Sequence, residues 1–198
     1  MIEPAPLPRQ HYCLFDTAMG ACGIAWSGRG ITRFQLPEAD RAATERQLQR
    51  GDRIGAVQKD LPAETREVIA QVQHYMAGKP IDFSAAALDL AGVADFHRQI
   101  YAALRTVGWG QTASYGDLAK QVGAPGAARA VGQAMGRNPI PLIIPCHRIL
   151  ASGRGIGGFS AYGGTVTKER MLALEGVHLG DGQLALPGLL PAQRAGRG

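Results

Sequence analysis

Residues 138–148 read Asn-Pro-Ile-Pro-Leu-Ile-Ile-Pro-Cys-His-Arg, and the rest of the chain is organised around this stretch. Its apolar run, residues 140–144, favours burial and lies between prolines, which exclude a helix and favour an extended path. The sequence therefore predicts that Cys146 follows a rigid, buried, extended segment. A cysteine fixed in this way is held in place for a reaction.

The adjacent residues Cys146 and His147 have two interpretations. A thiol becomes a nucleophile when a base or a positive charge stabilises its thiolate, and His147 and Arg148 are candidates for these two roles. An isolated cysteine, however, is usually a small buried hydrophobic residue. In an extended chain adjacent side chains also point to opposite faces, so a water molecule would have to link His147 to the thiol.

Composition allows one large domain or two small ones, because the chain has 198 residues and 45% of them are hydrophobic. The formal net charge of +5 favours an anionic partner, although many cytosolic enzymes are equally basic. The start of the chain lacks the basic and apolar regions of a signal peptide, and no apolar run approaches about 18 residues. We therefore expect a cytoplasmic protein without a membrane segment.

The three cysteines, Cys13, Cys22 and Cys146, are odd in number and follow no Cys-rich pattern, which argues against a disulfide framework. Cys13 and Cys22 lie near His11 in the sequence, which raises the alternative of a zinc site. No paired metal-ligand spacing is present, however, and both cysteines lie in apolar strand patterns. We therefore expect no metal ion.

The first half of the chain predicts a small unit of strands and helices. Strand patterns with tight connections, at residues 11–17, 21–26 and 31–36, favour an antiparallel meander. Helices are predicted at residues 40–49 and 65–77. Four apolar residues of the second helix share one face: Val68, Ile69, Val72 and Met76. Residues 80–92 are typical of a linker.

The second half predicts mainly helices. An amphipathic helix spans residues 95–106, and helices at 115–122 and 126–137, joined by a glycine-bearing turn, form a helix-turn-helix outline. The outer face of the helix at 126–137 carries small residues and Arg129, which suits close approach to a sugar-phosphate backbone. The alternative interpretation is that these small residues pack against another helix. A glycine-rich loop, a helix at 167–176 and a flexible tail follow.

Several ordered motifs, together with residues 138–148, resemble the O6-alkylguanine-DNA alkyltransferases. They are residues 110–119, 127–135, 157–160 and 168–176. The resemblance implies an α/β fold, in which a small ribonuclease H-like α/β domain, residues 1–90, has a supporting role. A mostly helical, winged-helix-like domain with the helix-turn-helix, residues 91–180, would bind DNA and carry the chemistry, and residues 181–198 would be a flexible tail.

The resemblance also implies DNA repair by direct, irreversible, single-turnover transfer of an alkyl group from O6-alkylguanine to Cys146, with O4-alkylthymine left open as a second substrate. His147 would take the thiol proton through a water molecule, and Glu175 would orient and charge His147. Asn138 would hold the active-site turn by side-chain hydrogen bonds. Tyr115 would give a hydrogen bond or a proton to N3 of the leaving guanine, and no cofactor takes part.

The implied partner is alkylated double-stranded DNA, bound by a monomer. The second helix of the helix-turn-helix would enter the minor groove, the damaged nucleotide would flip out, and Arg129 would fill the gap. Four small residues would contact the DNA backbone: Ser114, Ala128, Ala130 and Gly132. The base pocket would be lined by Tyr115, Gly157 and Ser160, within a wall formed by residues 153–160.

Two other kinds of protein remain as alternatives. Alkyltransferase-like proteins bind alkylated DNA without repairing it, but they replace the acceptor cysteine that is present here as Cys146. A helix-turn-helix transcription factor would carry a more polar recognition helix with base-reading side chains, and Arg129 alone offers little of this.

Overall fold

The computed structural model describes residues 10–50, 54–57, 60–151 and 155–178. The N-terminal residues 1–9, the predicted tail at 181–198 and residues 152–154 of the glycine-rich loop lie outside the described residues.

A four-stranded sheet forms most of the first half. Strands β1 (Gln10–Thr17), β2 (Gly20–Ser27) and β3 (Gly30–Gln35) form the predicted antiparallel meander. A fourth strand, β4 (Ile54–Val57), pairs parallel to β1 and gives the strand order β3-β2-β1-β4. β4 was not predicted, because the short run Ile-Gly-Ala-Val shows no alternation that distinguishes a strand from a loop.

Helices cover both faces of this sheet. On one face α1 (Arg41–Leu48), whose first turn is capped by the Asp40 side chain, buries Leu48 against Tyr12 and Ala25. On the other face α2 (Ala63–Met76) packs against the alternate residues of β1 and β2. The buried residues of α2 include the four that were predicted and, in addition, Tyr75. The predicted α/β class is confirmed.

The second half is mainly helical, as predicted. It contains α3 (Asp95–Leu104), α4 (Tyr115–Gln121), α5 (Ala128–Gly136) and α6 (Thr165–Leu174), with a short parallel pair of strands, β5 (Ala113–Ser114) and β6 (Ile149–Leu150). α4 and α5 are the two helices of the predicted helix-turn-helix. Across the described ranges, no helix combines the length and the apolar character that a bilayer crossing requires.

The two halves share one continuous buried core. The Phe34 N–H of β3 donates to Pro139 O at 3.0 Å, so β3 borders the central stretch 138–148. The predicted linker also pairs with β3, since Ile31 N–H donates to Ala87 O at 2.9 Å and Asp89 N–H donates to Ile31 O at 2.8 Å. The proposed boundary at residue 90 therefore lies where the two halves are in contact.

Residues 140–144 form a tight turn, although an extended segment was predicted. Ile144 N–H donates to Ile140 O at 2.9 Å, and Leu142 has a left-handed φ of 72°. An extended strand would point alternate side chains to opposite faces, whereas this turn buries nearly every apolar side chain of the run. Burial of large apolar groups offsets the left-handed leucine, which costs roughly 1–2 kcal/mol.

Candidate active site

The candidate nucleophile opens a 3₁₀ turn, residues 146–148, that runs directly into β6. β6 pairs with β5, and β5 ends where α4 begins, so the strand pair holds Cys146 near Tyr115, the first residue of α4. Successive side chains of a 3₁₀ helix are about 120° apart, so Cys146 and His147 do not point to opposite faces. Cys146 lines a cavity of about 210 Å³. The other lining residues are Tyr115, Gly132, Met135, Gly136, Gly158, Phe159 and Ser160.

The Cys146 thiol is buried, with only 6% of the residue exposed. Burial raises the pKa of Cys146, and the Asn138 side chain, the charge of Lys168 and nearby backbone N–H groups oppose this increase only in part. The thiol is therefore mainly protonated at neutral pH. A nucleophilic reaction at this sulfur requires a base to remove its proton.

His147 is fully buried and lies 2.8 Å, through Nε2, from Oε1 of Glu175. Burial lowers the pKa of His147, and Glu175 counteracts this only in part, so the imidazole is neutral near pH 7. Because the carboxylate is an acceptor, Nε2 carries the ring hydrogen. Nδ1 is then the basic nitrogen, and within the described residues it has no hydrogen-bond partner.

Glu175, at the C-terminal end of α6, accepts hydrogen bonds from four residues. Besides His147 they are Tyr75 Oη at 2.7 Å, Gly110 N at 3.1 Å, and Arg148 through Nε at 2.9 Å and Nη2 at 2.9 Å. Burial alone would raise the pKa of Glu175, but the hydrogen bonds from His147 and Arg148 outweigh it and hold the pKa at about 2. The positive charge of Arg148 is therefore paired with Glu175, although the sequence suggested a role beside the thiol.

Asn138 fastens the turn that precedes Cys146. Its Nδ2 donates to Ile144 O at 2.9 Å, and its Oδ1 accepts from Ile140 N–H at 3.0 Å. The side chain also lowers the pKa of Cys146, which favours the thiolate. Asn138 thus holds the nucleophile and its supporting turn in a fixed relation.

Tyr115 forms one wall of the cavity. Burial raises its pKa and a negative charge on Cys146 would raise it further, so the phenol stays protonated and is a hydrogen-bond donor. Gly157 has a φ of +69°, and a Cβ at this position would lie 3.2 Å from Tyr115 Oη. A larger residue at position 157 would therefore press on Tyr115. Ser160 lies on the rim of the cavity and is exposed.

The helix α5 presents the surface predicted to meet DNA. Arg129 is exposed, and Ala128, Ala130 and Gly132 are half-buried. Gly132 also lines the cavity, so this face of α5 continues into the thiol site. Ser114 is the N-cap of α4. Its hydroxyl donates to Asp117 Oδ2 at 2.7 Å and accepts from Asp117 N–H at 3.0 Å, and its own N–H donates to Asp117 Oδ2 at 3.2 Å, which leaves one lone pair of the hydroxyl for another contact.

Two buried polar residues near this site were not predicted. Lys168 in α6 is fully buried; its Nζ donates to Ile149 O at 2.5 Å, and burial lowers its pKa to about 8. Tyr75 in α2 is the other. Each lies at helical spacing from buried apolar residues, as Lys168 does from Met171 and Leu172. The position of a lysine in line with the buried apolar residues of α6 was the sequence feature that could have indicated its burial near the site.

Cys13 and Cys22 lie in the sheet, away from the cavity. Burial raises the pKa of Cys13 to about 11 and that of Cys22 to about 12, so both thiols are unreactive at neutral pH. In the part of the chain that the structure describes, no three His, Cys, Asp or Glu side chains are grouped as metal ligands.

Known proteins resemble this chain in sequence. A family model described as 6-O-methylguanine DNA methyltransferase, DNA binding domain, matches residues 95–177. The methylated-DNA–protein-cysteine methyltransferase of Mycobacterium tuberculosis is 37% identical over 164 residues, which cover 82% of this chain and 89% of the relative. A protein of the same name from Sulfolobus acidocaldarius is 39% identical over 168 residues, 85% of this chain and 94% of the relative.

Solved structures resemble it as well. The structure of Mycobacterium tuberculosis OGT in complex with DNA has a TM-score of 0.66 and 34% identity, and the match covers 83% of this chain and 92% of that one. The O6-methylguanine-DNA methyltransferase of Pyrococcus kodakaraensis has a TM-score of 0.61 and 31% identity, covering 85% of this chain and 99% of that one. These matches run through both halves of the molecule, and the chain belongs to the methylated-DNA–protein-cysteine methyltransferases, the O6-alkylguanine-DNA alkyltransferase family.

Proposed function

We propose that the protein repairs duplex DNA by transferring the alkyl group of O6-alkylguanine to its own Cys146. The observation that carries this proposal is the position of the thiol: it lines a cavity between the helix-turn-helix and the glycine-rich loop, next to the buried pair His147 and Glu175. Membership of the family supports the same reaction, and the DNA in the related Mycobacterium tuberculosis structure supports DNA as the partner.

The thiol is activated by proton transfer to His147. Its Nδ1 holds a lone pair, and a water molecule between Nδ1 and the Cys146 sulfur is the proposed path for the proton. The imidazolium that forms is stabilised by Glu175, which remains a carboxylate because its pKa is about 2. The thiolate is stabilised by the Asn138 side chain and by the charge of Lys168, both of which lower the pKa of Cys146.

The transfer itself is a displacement at the alkyl carbon. The thiolate sulfur forms a bond to that carbon as its bond to guanine O6 breaks, and the electron pair passes into the guanine ring. Tyr115 donates a hydrogen bond or its proton to guanine N3, and Ser160 supplies a donor near O6. The leaving base therefore does not carry a full negative charge away.

The target atom is inaccessible inside a duplex, so the damaged nucleotide flips into the cavity. α5 approaches the minor groove with its small residues, and Arg129 occupies the gap in the base stack. The same cavity is the proposed site for O4-alkylthymine.

The thioether product is stable to the groups around it, so one molecule of the protein repairs one base. The protein acts as a monomer and without a cofactor. A reactive thiol acceptor suits the reducing cytoplasm.

The proposal is tested with duplex DNA that carries a radiolabelled methyl group on guanine O6, supplied in excess over protein. At most one label per protein molecule is expected, located by peptide mapping on Cys146, and none on the Cys146→Ala variant. Cys13→Ala and Cys22→Ala are the matched controls and remain competent, because both thiols are buried in the sheet. Repeated turnovers, or label on Cys13 or Cys22, would overturn the proposal. The same experiment with a duplex that carries O4-methylthymine tests the second substrate.

A further inference from the structure

The helix α2 belongs to the sheet half of the protein, yet it delivers a side chain to the candidate active site. Tyr75 is fully buried, and its Oη–H donates to Glu175 Oε1 at 2.7 Å. Tyr75 Oη also lies 3.2 Å from His147 Nε2. Tyr75 precedes Glu175 by 100 residues, so this contact is made only when the two halves are packed together.

The ring of Tyr75 is fixed as firmly as its hydroxyl. It packs edge-on against Trp109 with centroids 5.2 Å apart, and it lies nearly perpendicular to the imidazole of His147 at 6.2 Å. Burial and the neighbouring Glu175 raise the pKa of Tyr75 far above its ordinary value, so the hydroxyl remains a donor at every pH of interest. A donor held this rigidly determines which way the carboxylate oxygen points.

Three donors therefore share Oε1 of Glu175: Tyr75 Oη, His147 Nε2 and the Arg148 guanidinium. The hydroxyl draws part of the carboxylate charge away from the imidazole. Its oxygen is also close enough to Nε2 to favour the tautomer with hydrogen on that nitrogen. The first effect keeps His147 neutral before the reaction, and the second leaves Nδ1 as the nitrogen that accepts the proton.

We propose that Tyr75 is a positioning residue for alkyl transfer, supplied by the N-terminal half, that orients Glu175 and keeps Nδ1 of His147 as the base. This inference rests on the proposed function, since it concerns the proton path to Cys146. It also changes the role expected for the N-terminal half, which then contributes a group to the reaction.

Removal of the hydroxyl has a definite effect on the pH dependence. The charged groups that act on the pKa of His147 are Glu175, Arg148 and Lys168, and Tyr75 contacts it from α2. Without the hydroxyl, more of the Glu175 charge acts on the imidazole, so the pKa of His147 increases. His147 must be neutral to accept the proton, and the acid limb of the pH–rate profile therefore moves to higher pH.

The experiment compares Tyr75→Phe with the wild type in single-turnover methyl transfer at saturating protein. Loss of a hydrogen bond to a charged acceptor predicts a rate about tenfold lower. The acid limb is expected at higher pH, and the affinity for DNA is expected to be unchanged. Tyr12→Phe is the matched control, because Tyr12 is also buried in the sheet half and donates to a carboxylate, Glu45 Oε1, at 2.7 Å. Its transfer rate and pH profile stay at wild-type values.

A second variant gives a signature that a structural role would not produce. Tyr75→3-fluorotyrosine keeps the shape of the side chain and makes the hydroxyl a stronger donor, so the acid limb moves to lower pH, opposite to Tyr75→Phe. A wild-type rate and pH profile in both variants would overturn the inference. A wild type that transfers no methyl group to Cys146 would instead overturn the proposed function, so the two failures are distinguishable.

Discussion

At the residue scale, Glu175 has a role in stability and a proposed role in alkyl transfer. Its carboxylate balances the buried charge of Arg148 and at the same time directs His147. The sequence alone raised only the second role, which follows from the resemblance. Arg148 was expected beside the thiol, and nothing in its spacing indicated that it pairs with a residue 27 positions away.

Glu175→Gln should therefore impair the protein in two ways. An amide leaves the charge of Arg148 buried and unpaired, and breaking such a pair costs about 3–5 kcal/mol, which lowers the melting temperature. Transfer should be slower by roughly 10²–10⁴-fold, because the imidazolium loses its counter-charge. The rate is measured in single turnover at a temperature where circular dichroism shows a folded variant. Glu169→Gln on the same helix is the control. A folded Glu175→Gln protein with a wild-type rate removes Glu175 from the mechanism.

We expect Lys168 to give the transfer reaction a second pH dependence. Its pKa is lowered by burial to about 8, so the ammonium that stabilises the thiolate is present at pH 7 and is lost as the pH rises through about 8. Lys168→Met should slow transfer roughly tenfold at pH 7, the effect of one pKa unit on the thiolate fraction. Above pH 8 the two rates should converge. The exposed Lys79→Met serves as control, and a constant rate ratio across this range would argue against the charge effect.

At the scale of elements, the sequence predicted most helices and strands but not which side chains they bring to the site. The periodicity of α2 correctly placed its apolar residues in the core, and it also led Tyr75 to be overlooked, because a tyrosine at core spacing is expected to fill space. The turn at residues 140–144 was missed for a different reason. Prolines exclude a helix but do not distinguish an extended chain from a turn, and that choice depends on the surrounding core.

The face of α5 leads to a prediction that separates flipping from chemistry. Arg129 is exposed on α5, whose outer face otherwise carries small residues and Gln133. If it occupies the space left by the flipped nucleotide, Arg129→Ala should slow repair of duplex DNA strongly, since unstacking costs a few kcal/mol. Reaction with a free O6-alkylguanine base should stay near wild type. Arg129→Lys should restore only part of the rate, because an ammonium lacks the planar guanidinium.

The measurement for Arg129 is the rate at saturating protein, where a pure loss of affinity disappears. Arg170→Ala, which removes an exposed arginine from α6, controls for the change in net charge. If Arg129 is only a phosphate contact, its removal weakens binding and reduces the salt dependence while the saturated rate is unchanged. An equal loss on duplex and free base would assign Arg129 to the fold or to the cavity.

At the scale of the whole molecule, the two halves depend on each other. One buried core extends from the sheet to the helices around Cys146, and β3 is bonded to the turn at Pro139. The sequence showed two regions of different character, and the resemblance assigned the chemistry to the second. Neither indicated the contact between Tyr75 and Glu175, because contacts between distant parts of a chain leave no local pattern.

This dependence predicts that residues 91–198 alone will not form a working protein. Without the sheet and α2, the apolar side chains of the turn at 140–144 are exposed, and Glu175 loses the Tyr75 hydroxyl. The fragment should show no cooperative unfolding transition and no methyl transfer. Mixing it with a fragment of residues 1–90 should restore both, since the two halves share one apolar core. The same mixture with Tyr75→Phe in the fragment of residues 1–90 should restore folding but only about one tenth of the rate. A fragment of residues 91–198 that folds and transfers methyl at the wild-type rate would show that the N-terminal half is dispensable.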